Sequence, residues 1–303
     1  MGKIKKIKWY NLAFMAFSSV WGFANVVNGF SEYDGLKAIV AWVLIFALYF
    51  VPYALMVGEM GSAFKNLGGG VSSWIQETIS PKVAYYAGWT YWIVHMPYIS
   101  QKPQSALVAL SWAVTQSPDL TNNMSPILLQ IGCLIIFLIF AWITLQGINP
   151  LKNLATIAGS SMFVMSLLYV LLMLAAPAIA PDRIHAIDWS LDSFIPTFDW
   201  KYLTSFSILV FAVGGCERIS PYVNKMSDPA KGFPKGMIFL ALMVAACAIL
   251  GTISMGMMFD PANPPQDLML NGAYYCFQLL GEYYHVGNLF LIVFALCNMI
   301  GQL

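Results

Sequence analysis

Apolar runs long enough to cross a bilayer recur along this chain. They fall at about residues 9–30, 37–58, 83–116, 126–146, 153–177, 201–218, 234–259 and 286–303. A helix spanning the hydrocarbon core needs about 20 predominantly apolar residues. Composition agrees: 59% of the 303 residues are hydrophobic and 10% are charged, with a mean hydropathy of +0.70. A soluble domain carries about 25% charged residues. The expected fold is therefore all-α and integral to a membrane, with residues 1–303 forming one multi-pass domain in contact with the lipid bilayer. A net charge of +1 gives no basic face for nucleic acid, which is not an expected partner.

Lys3, Lys5, Lys6 and Lys8 precede the first run. That run is too long for a signal-peptide core, and no small-x-small cleavage site follows, so it reads as a retained first helix. With the N-terminus in the cytoplasm, most lysines and arginines fall in inside segments. Lys37, Arg183 and Lys201 fall outside, and Lys102 lies within the third run. Asp182, Asp188, Asp192, Asp199, Asp260 and Asp267 all fall outside. This bias fixes the expected topology. Pro97 and Pro103 are expected to kink the long third run. The eighth run is still apolar at Leu303, so the chain reads as a fragment ending inside or at the end of a helix. The five cysteines lie in or beside apolar runs at spacings that suit neither a disulfide framework nor a zinc site, and read as small buried residues. No phosphate loop, metal-ligand set or nucleophile–base pair is visible, so no cofactor and no enzymatic activity are expected.

Two runs are interrupted at membrane depth. The first contains "GFANVVNGF", residues 22–30, and the sixth contains "FAVGGCE", residues 211–217. Each unpaired backbone group in lipid costs several kcal/mol, so irregular backbone persists only where it lines protein or a water-filled cavity. Segments 1 and 6 are five spans apart and enter from opposite sides. Interruptions at matching positions of two inverted halves are the best sequence pointer to a transporter's binding site. Repeat one would cover about 9–177 and the start of repeat two about 201–303. The break is expected over Phe23, Ala24 and Asn25, with the Gly22 backbone open to a central cavity. Ser19, Gly22, Phe23, Ala24, Asn25, Phe211, Gly214 and Gly215 are the expected substrate-binding residues. The N-terminus of the outer half of helix 1 suits a carboxylate, and the last carbonyls of the outer half of helix 6 suit an ammonium. Together they fit an amino-acid zwitterion. The competing reading is that these glycines only let helices pack closely.

Four further stretches carry a resemblance. "KMSDPAKGFPKGM", residues 225–237, resembles the K-N-P-x-R-x-I-P-x-A signature after helix 6 of the amino acid–polyamine–organocation (APC) superfamily. "FAVGGCE" resembles its F-A-x-x-G-x-E. "YALMVGEMGSAFKNLGGGVSSWI", residues 53–75, resembles the end of its helix 2, and "AGWTYWI", residues 87–93, the start of its helix 3. Within the superfamily, "FSSVWGFANVVNGF" is most similar to bacterial glutamate/GABA antiporters and the inner-membrane permeases near them. The resemblance covers the whole chain in order. It implies the first eight helices of a five-plus-five inverted-repeat fold of the leucine-transporter type, in a bacterial inner membrane. It also implies a secondary active amino-acid transporter working by alternating access, as an antiporter or coupled to protons. The chain departs from the pattern at Ala24, where a second glycine is usual, and at Asn66, where a proline is usual. The fifth run has no mid-helix lysine of the kind that stands in for sodium in some relatives.

Two charges within the runs are the expected coupling or gating residues. Glu217 is either a carboxylate that gains and loses a proton or an end-of-helix acid paired with Arg218 or a nearby lysine. Lys102, seven residues after His95 on one helix face, is either a coupling or specificity charge for an acidic side chain or a proton, or a lysine held by carbonyls freed at Pro103. The tyrosines and tryptophans of "YYAGWTYW" and "GEYYHVGN" read as interfacial belts, and the methionines of "ISMGMMFD" as lipid-facing. A transport-inactive amino-acid sensor and a channel are the alternative functions. A channel would need a continuous polar stripe, and isolated breaks are what the sequence has.

Overall fold

A computed structural model describes residues 6–68 and 70–302. The elements in chain order are α1 (Trp9–Val20), α2 (Ala24–Glu32), α3 (Ala38–Ile45), α4 (Val51–Ala63), α5 (Val71–Thr78), α6 (Pro81–Thr115) and α7 (Asp119–Asn122). There follow α8 (Pro126–Leu145), α9 (Ile148–Ile179), α10 (Leu191–Phe194), α11 (Trp200–Val213), α12 (Pro229–Gly256), α13 (Leu268–Tyr283) and α14 (Leu289–Gly301). No extended sheet forms among the described residues. The only β pairing is a single bridge between Ile7 and Met226.

The helix starts follow from local chemistry. Ser80, Ser125, Asp199 and Asp228 each accept a backbone N–H from the first turn of α6, α8, α11 and α12. Proline follows three of these caps, where its fixed φ suits the first turn and its missing N–H costs nothing. Among the described residues, five helical stretches are long and apolar enough to cross a membrane. They are Gly35–Ala63, α8, α9, Trp200–Lys225 and α12. The bent pair α1–α2 makes up to six. The Gly35–Ala63 stretch passes through a wider π turn at Phe46–Phe50 between α3 and α4. The third run is one helix of 35 residues with Pro97 and Pro103 inside it. The eighth is the 13-residue α14.

Small residues set the spacing of the bundle. Gly232 and Gly236 on α12 face Trp9 and Leu12 of α1, and Gly58 and Gly61 on α4 face Pro234, Met237 and Phe233 of α12. A Cβ on Gly159 of α9 would fall 1.8 Å from the backbone oxygen of Phe14 on α1. Without water to drive apolar association, helices in lipid gain from this close backbone approach.

Three expectations are corrected here. Met255, Met257 and Met258 are buried, not lipid-facing. Tyr169 donates its hydroxyl to the Met258 sulfur. "GEYYHVGN" does not form a belt: Tyr283 is buried and Tyr284 donates to the Leu172 carbonyl at 2.6 Å. Both residues lie at the end of α13, a helix between the seventh and eighth runs. Beside it lies Asp267. Burial alone would raise its carboxyl, but hydrogen bonds from Asn271 and Tyr275 hold it below the usual carboxylate range. The third correction, to Glu217, belongs with the site below. In "YYAGWTYW", Tyr85, Tyr86, Trp89 and Trp92 are exposed.

Candidate functional site

Segments 1 and 6 lie side by side and run in opposite directions. Ile7 N–H donates to the Lys225 carbonyl, and Ser227 N–H donates to the Ile7 carbonyl. Further along, Arg218 donates to the Ser19 carbonyl at 3.3 Å. The Asn25 amide then donates to the Ala212 carbonyl at 3.0 Å, and Ser205 donates to the Glu32 carboxylate. As residue numbers rise along one segment, the partner numbers fall along the other. The two segments are antiparallel from Ser19 to Glu32, and only the local bridge between Ile7 and Met226, among the described residues, is parallel.

Both segments break at the middle of this ladder. α1 stops at Val20, Trp21 is extended at φ −117° and ψ 130°, and α2 begins at Ala24 with a bend of 45°. The break therefore covers Trp21–Phe23, earlier than the expected Phe23–Asn25. Ala24 and Asn25 already belong to α2. In segment 6, α11 ends at Val213, Gly214 is extended, and Gly215 takes φ +107°. That backbone is strained for any residue with a Cβ, which is why glycine stands there. A tighter 3-10 stretch then runs from Cys216 to Lys225. The two breaks meet because Asn25 takes up an orphan carbonyl in the last turn of α11.

A cavity of about 160 Å³ opens between them. Ser19, Gly22, Ala24, Asn25, Phe211 and Gly214 line it, as does Lys102. Two of the expected residues do not. Phe23 is 1% exposed, with its ring packed on Tyr169, Phe277 and Phe294. The Phe23 ring anchors the bend from behind. Gly215 is covered by Arg218, whose Nε would lie 2.8 Å from a Cβ placed there.

Several lining residues were not anticipated, four of them polar and central to its chemistry: Arg218, Tyr98, Asn298 and Gln302. Arg218 was assigned to an inside segment, yet it faces the cavity. Its guanidinium lies 4.6 Å from the centroid of the Tyr98 ring, and the Lys102 ammonium lies 4.5 Å from the same centroid. Tyr98 is thus clasped between two cations. Buried Nε of Arg218 has no hydrogen-bond partner among the described residues. Asn298 and Gln302 of the eighth run also line the cavity, and Lys102 donates to the Gln302 side-chain oxygen at 2.9 Å. No aspartate or glutamate is among the described lining residues. A second, mostly apolar space of about 610 Å³ adjoins this one, and His95, Tyr98, Lys102 and Arg218 border it. His95 donates from Nδ1 to the Tyr91 carbonyl.

Glu217 sits apart from both cations' cavity face. It is 9% exposed and accepts from Tyr53 of α4 at 2.6 Å and Tyr91 of α6 at 2.9 Å. These phenols take the place of the Arg218 or lysine partner that adjacency in sequence suggested. Consecutive residues on a 3-10 turn point about 120° apart, so Glu217 and Arg218 face different neighbours.

A family profile for amino acid permeases matches residues 7–303. The chain belongs to the amino acid permease family. An aspartate/glutamate permease of Lactococcus lactis subsp. cremoris is 50% identical over 99% of this chain and 61% of its own length. An inner membrane transporter of Escherichia coli is 28% identical over 80% of this permease-family chain and 50% of its own. A glutamate/gamma-aminobutyrate antiporter of Lactococcus lactis subsp. lactis is 25% identical over 81% and 48%. The chain thus spans about half to three-fifths of the length of these relatives. Membership places the chain in the APC superfamily.

Proposed function

We propose that the chain forms the substrate-binding part of a secondary active transporter for acidic amino acids. The observation that carries this reading is the cation pair, Arg218 and Lys102, clasping Tyr98 in a cavity with no carboxylate among its described lining residues. The free N-terminus of α2 receives the substrate's α-carboxylate, and the last carbonyls of α11 receive its ammonium. The cations then receive the side-chain carboxylate. A half-buried guanidinium with a buried, unpartnered Nε favours an anionic partner, because charge-assisted hydrogen bonds are about twice as strong as neutral ones. The name of the 50% identical relative, an aspartate/glutamate permease, supports the same substrate class.

The antiparallel pairing of segments 1 and 6 supports an inverted repeat, with repeat one near 9–177 and repeat two opening near 201. The lysine and arginine bias supports a cytoplasmic N-terminus and eight spans in a bacterial inner membrane. The test is uptake of labelled aspartate into proteoliposomes holding the intact protein. Unlabelled glutamate should compete strongly, and agmatine, a cation, should not. Equal competition by both would overturn the acidic reading.

Glu217 is the coupling residue in this scheme. Its carboxylate ties the unwound stretch after α11 to α4 and α6 through two phenols. A neutral amide accepts from a phenol more weakly than a carboxylate does, so Gln at this position loosens the brace around the break. Glu217→Gln should keep substrate binding and change the rate of exchange. An unaltered exchange rate in this variant would assign Glu217 to structure alone.

A further inference from the structure

The hydrogen bond between Lys102 and Gln302 has the geometry of an interaction that a substrate must replace. Lys102 is on α6 and Gln302 directly follows α14, and both line the cavity at the break. An ammonium only donates, so the Gln302 amide must turn its oxygen toward Lys102. Its nitrogen then faces the other way and donates to the Asn298 side-chain oxygen at 3.0 Å. Asn298 in turn donates to the Tyr274 hydroxyl at 2.9 Å. The Tyr274 ring stacks on Trp112, with centroids 5.0 Å apart and planes 6° from parallel. A chain of oriented groups on α6, α13 and α14 therefore presents one amide oxygen to the lysine.

We propose that Gln302 is an affinity-setting residue, a built-in competitor whose amide oxygen holds the place on Lys102 that the side-chain carboxylate of an acidic substrate takes over. This rests on the acidic-substrate reading above. An amide oxygen is the neutral counterpart of a carboxylate oxygen of the same size. Aspartate entering the cavity exchanges a neutral acceptor on the ammonium for a charged one, and gains by the exchange. Asparagine exchanges one amide for another and gains nothing. The displaced Gln302 keeps its bond to Asn298. The cost of displacing Gln302 is common to both ligands, so Gln302 lowers the affinity of every side chain that reaches Lys102 and leaves the ratio between them to Lys102 itself.

Two variants move this competition in opposite directions. In Gln302→Leu the competitor is gone, so the half-inhibitory concentrations of aspartate and asparagine should both fall at least 3-fold, with their ratio unchanged. In Gln302→Glu the competitor carries a charge of its own, so the half-inhibitory concentration of aspartate should rise at least 10-fold. Both are read by competition against labelled aspartate in proteoliposomes, with the amount of folded protein measured alongside. A packing role for Gln302 would lower the maximal rate and leave the half-inhibitory concentrations of the wild type in both variants. That result, or loss of folded protein in both, would overturn the proposal. A wild-type protein with no preference for aspartate over asparagine would instead remove the acidic reading on which the proposal stands.

Discussion

Replacing Arg218 with methionine is expected to lower the apparent affinity for aspartate by roughly one to two orders of magnitude, with competition by neutral amino acids little changed. Methionine preserves the length and much of the apolar volume of the side chain. What it removes is the charge facing the cavity and the donor to the Ser19 carbonyl. Hydrogen bonds to charged groups contribute about 1.5–3 kcal/mol each, and 1.4 kcal/mol is a factor of ten in affinity. Arg218→Lys keeps the charge but loses the planar fork, so it should recover only part of the loss. The measurement is the concentration dependence of aspartate uptake, separated into affinity and maximal rate. A fall in maximal rate for every substrate, with unaltered affinity for aspartate, would mean that Arg218 only braces the break through Ser19.

Gly159→Ala is expected to give little folded protein, while Gly22→Ala folds as the wild type does. The added Cβ at 159 would lie 1.8 Å from the Phe14 oxygen and 2.7 Å from its carbon. Both are backbone atoms, so no rotamer change relieves the overlap. α1 and α9 would have to separate by more than 1 Å along a crossing held by Phe14, Phe17 and Phe163. Overpacking of this kind costs about 1–3 kcal/mol and sometimes more. α1 also carries the break, so its displacement would open the cavity. At Gly22 nothing lies within 4 Å of the position a Cβ would take. Gly22→Ala therefore tests substrate binding with the fold intact. Size-exclusion profiles and melting curves in detergent distinguish the two variants. Equal melting temperatures would show that the α1–α9 crossing yields without cost.

The helices of this protein were readable because hydrophobicity in lipid is a local property. Each apolar run must close its own backbone hydrogen bonds, so length and composition are enough to mark α8, α9 and α12. The interruptions were readable for the same reason. A glycine pair at 214–215 and "GFAN" at 22–25 break a pattern that lipid otherwise enforces, and a cavity lies where they lie. Even the polar residues of the eighth run, Asn298 and Gln302, carried the signal that singled out Lys102: a polar side chain set within an apolar run.

Which way each side chain faces was not readable. Glu217 and Arg218 are neighbours in sequence, and adjacency suggested that they pair. The 3-10 turn instead points one at Tyr53 and Tyr91 and the other at Tyr98 and the cavity. Phe23 sits at the break, yet its ring turns into the Tyr169–Phe277–Phe294 cluster. Met255, Met257 and Met258 are as apolar as any lipid-facing residue, and packing alone put them inside. Along a membrane helix the lipid and the protein interior are equally apolar, so hydrophobicity marks a span without marking its inner face. Only the crossing of helices distant in sequence decides that face. Here those crossings bring α2, α6, the 3-10 stretch after α11 and the end of α14 together so that Asn25, Lys102, Arg218 and Gln302 meet around one cavity.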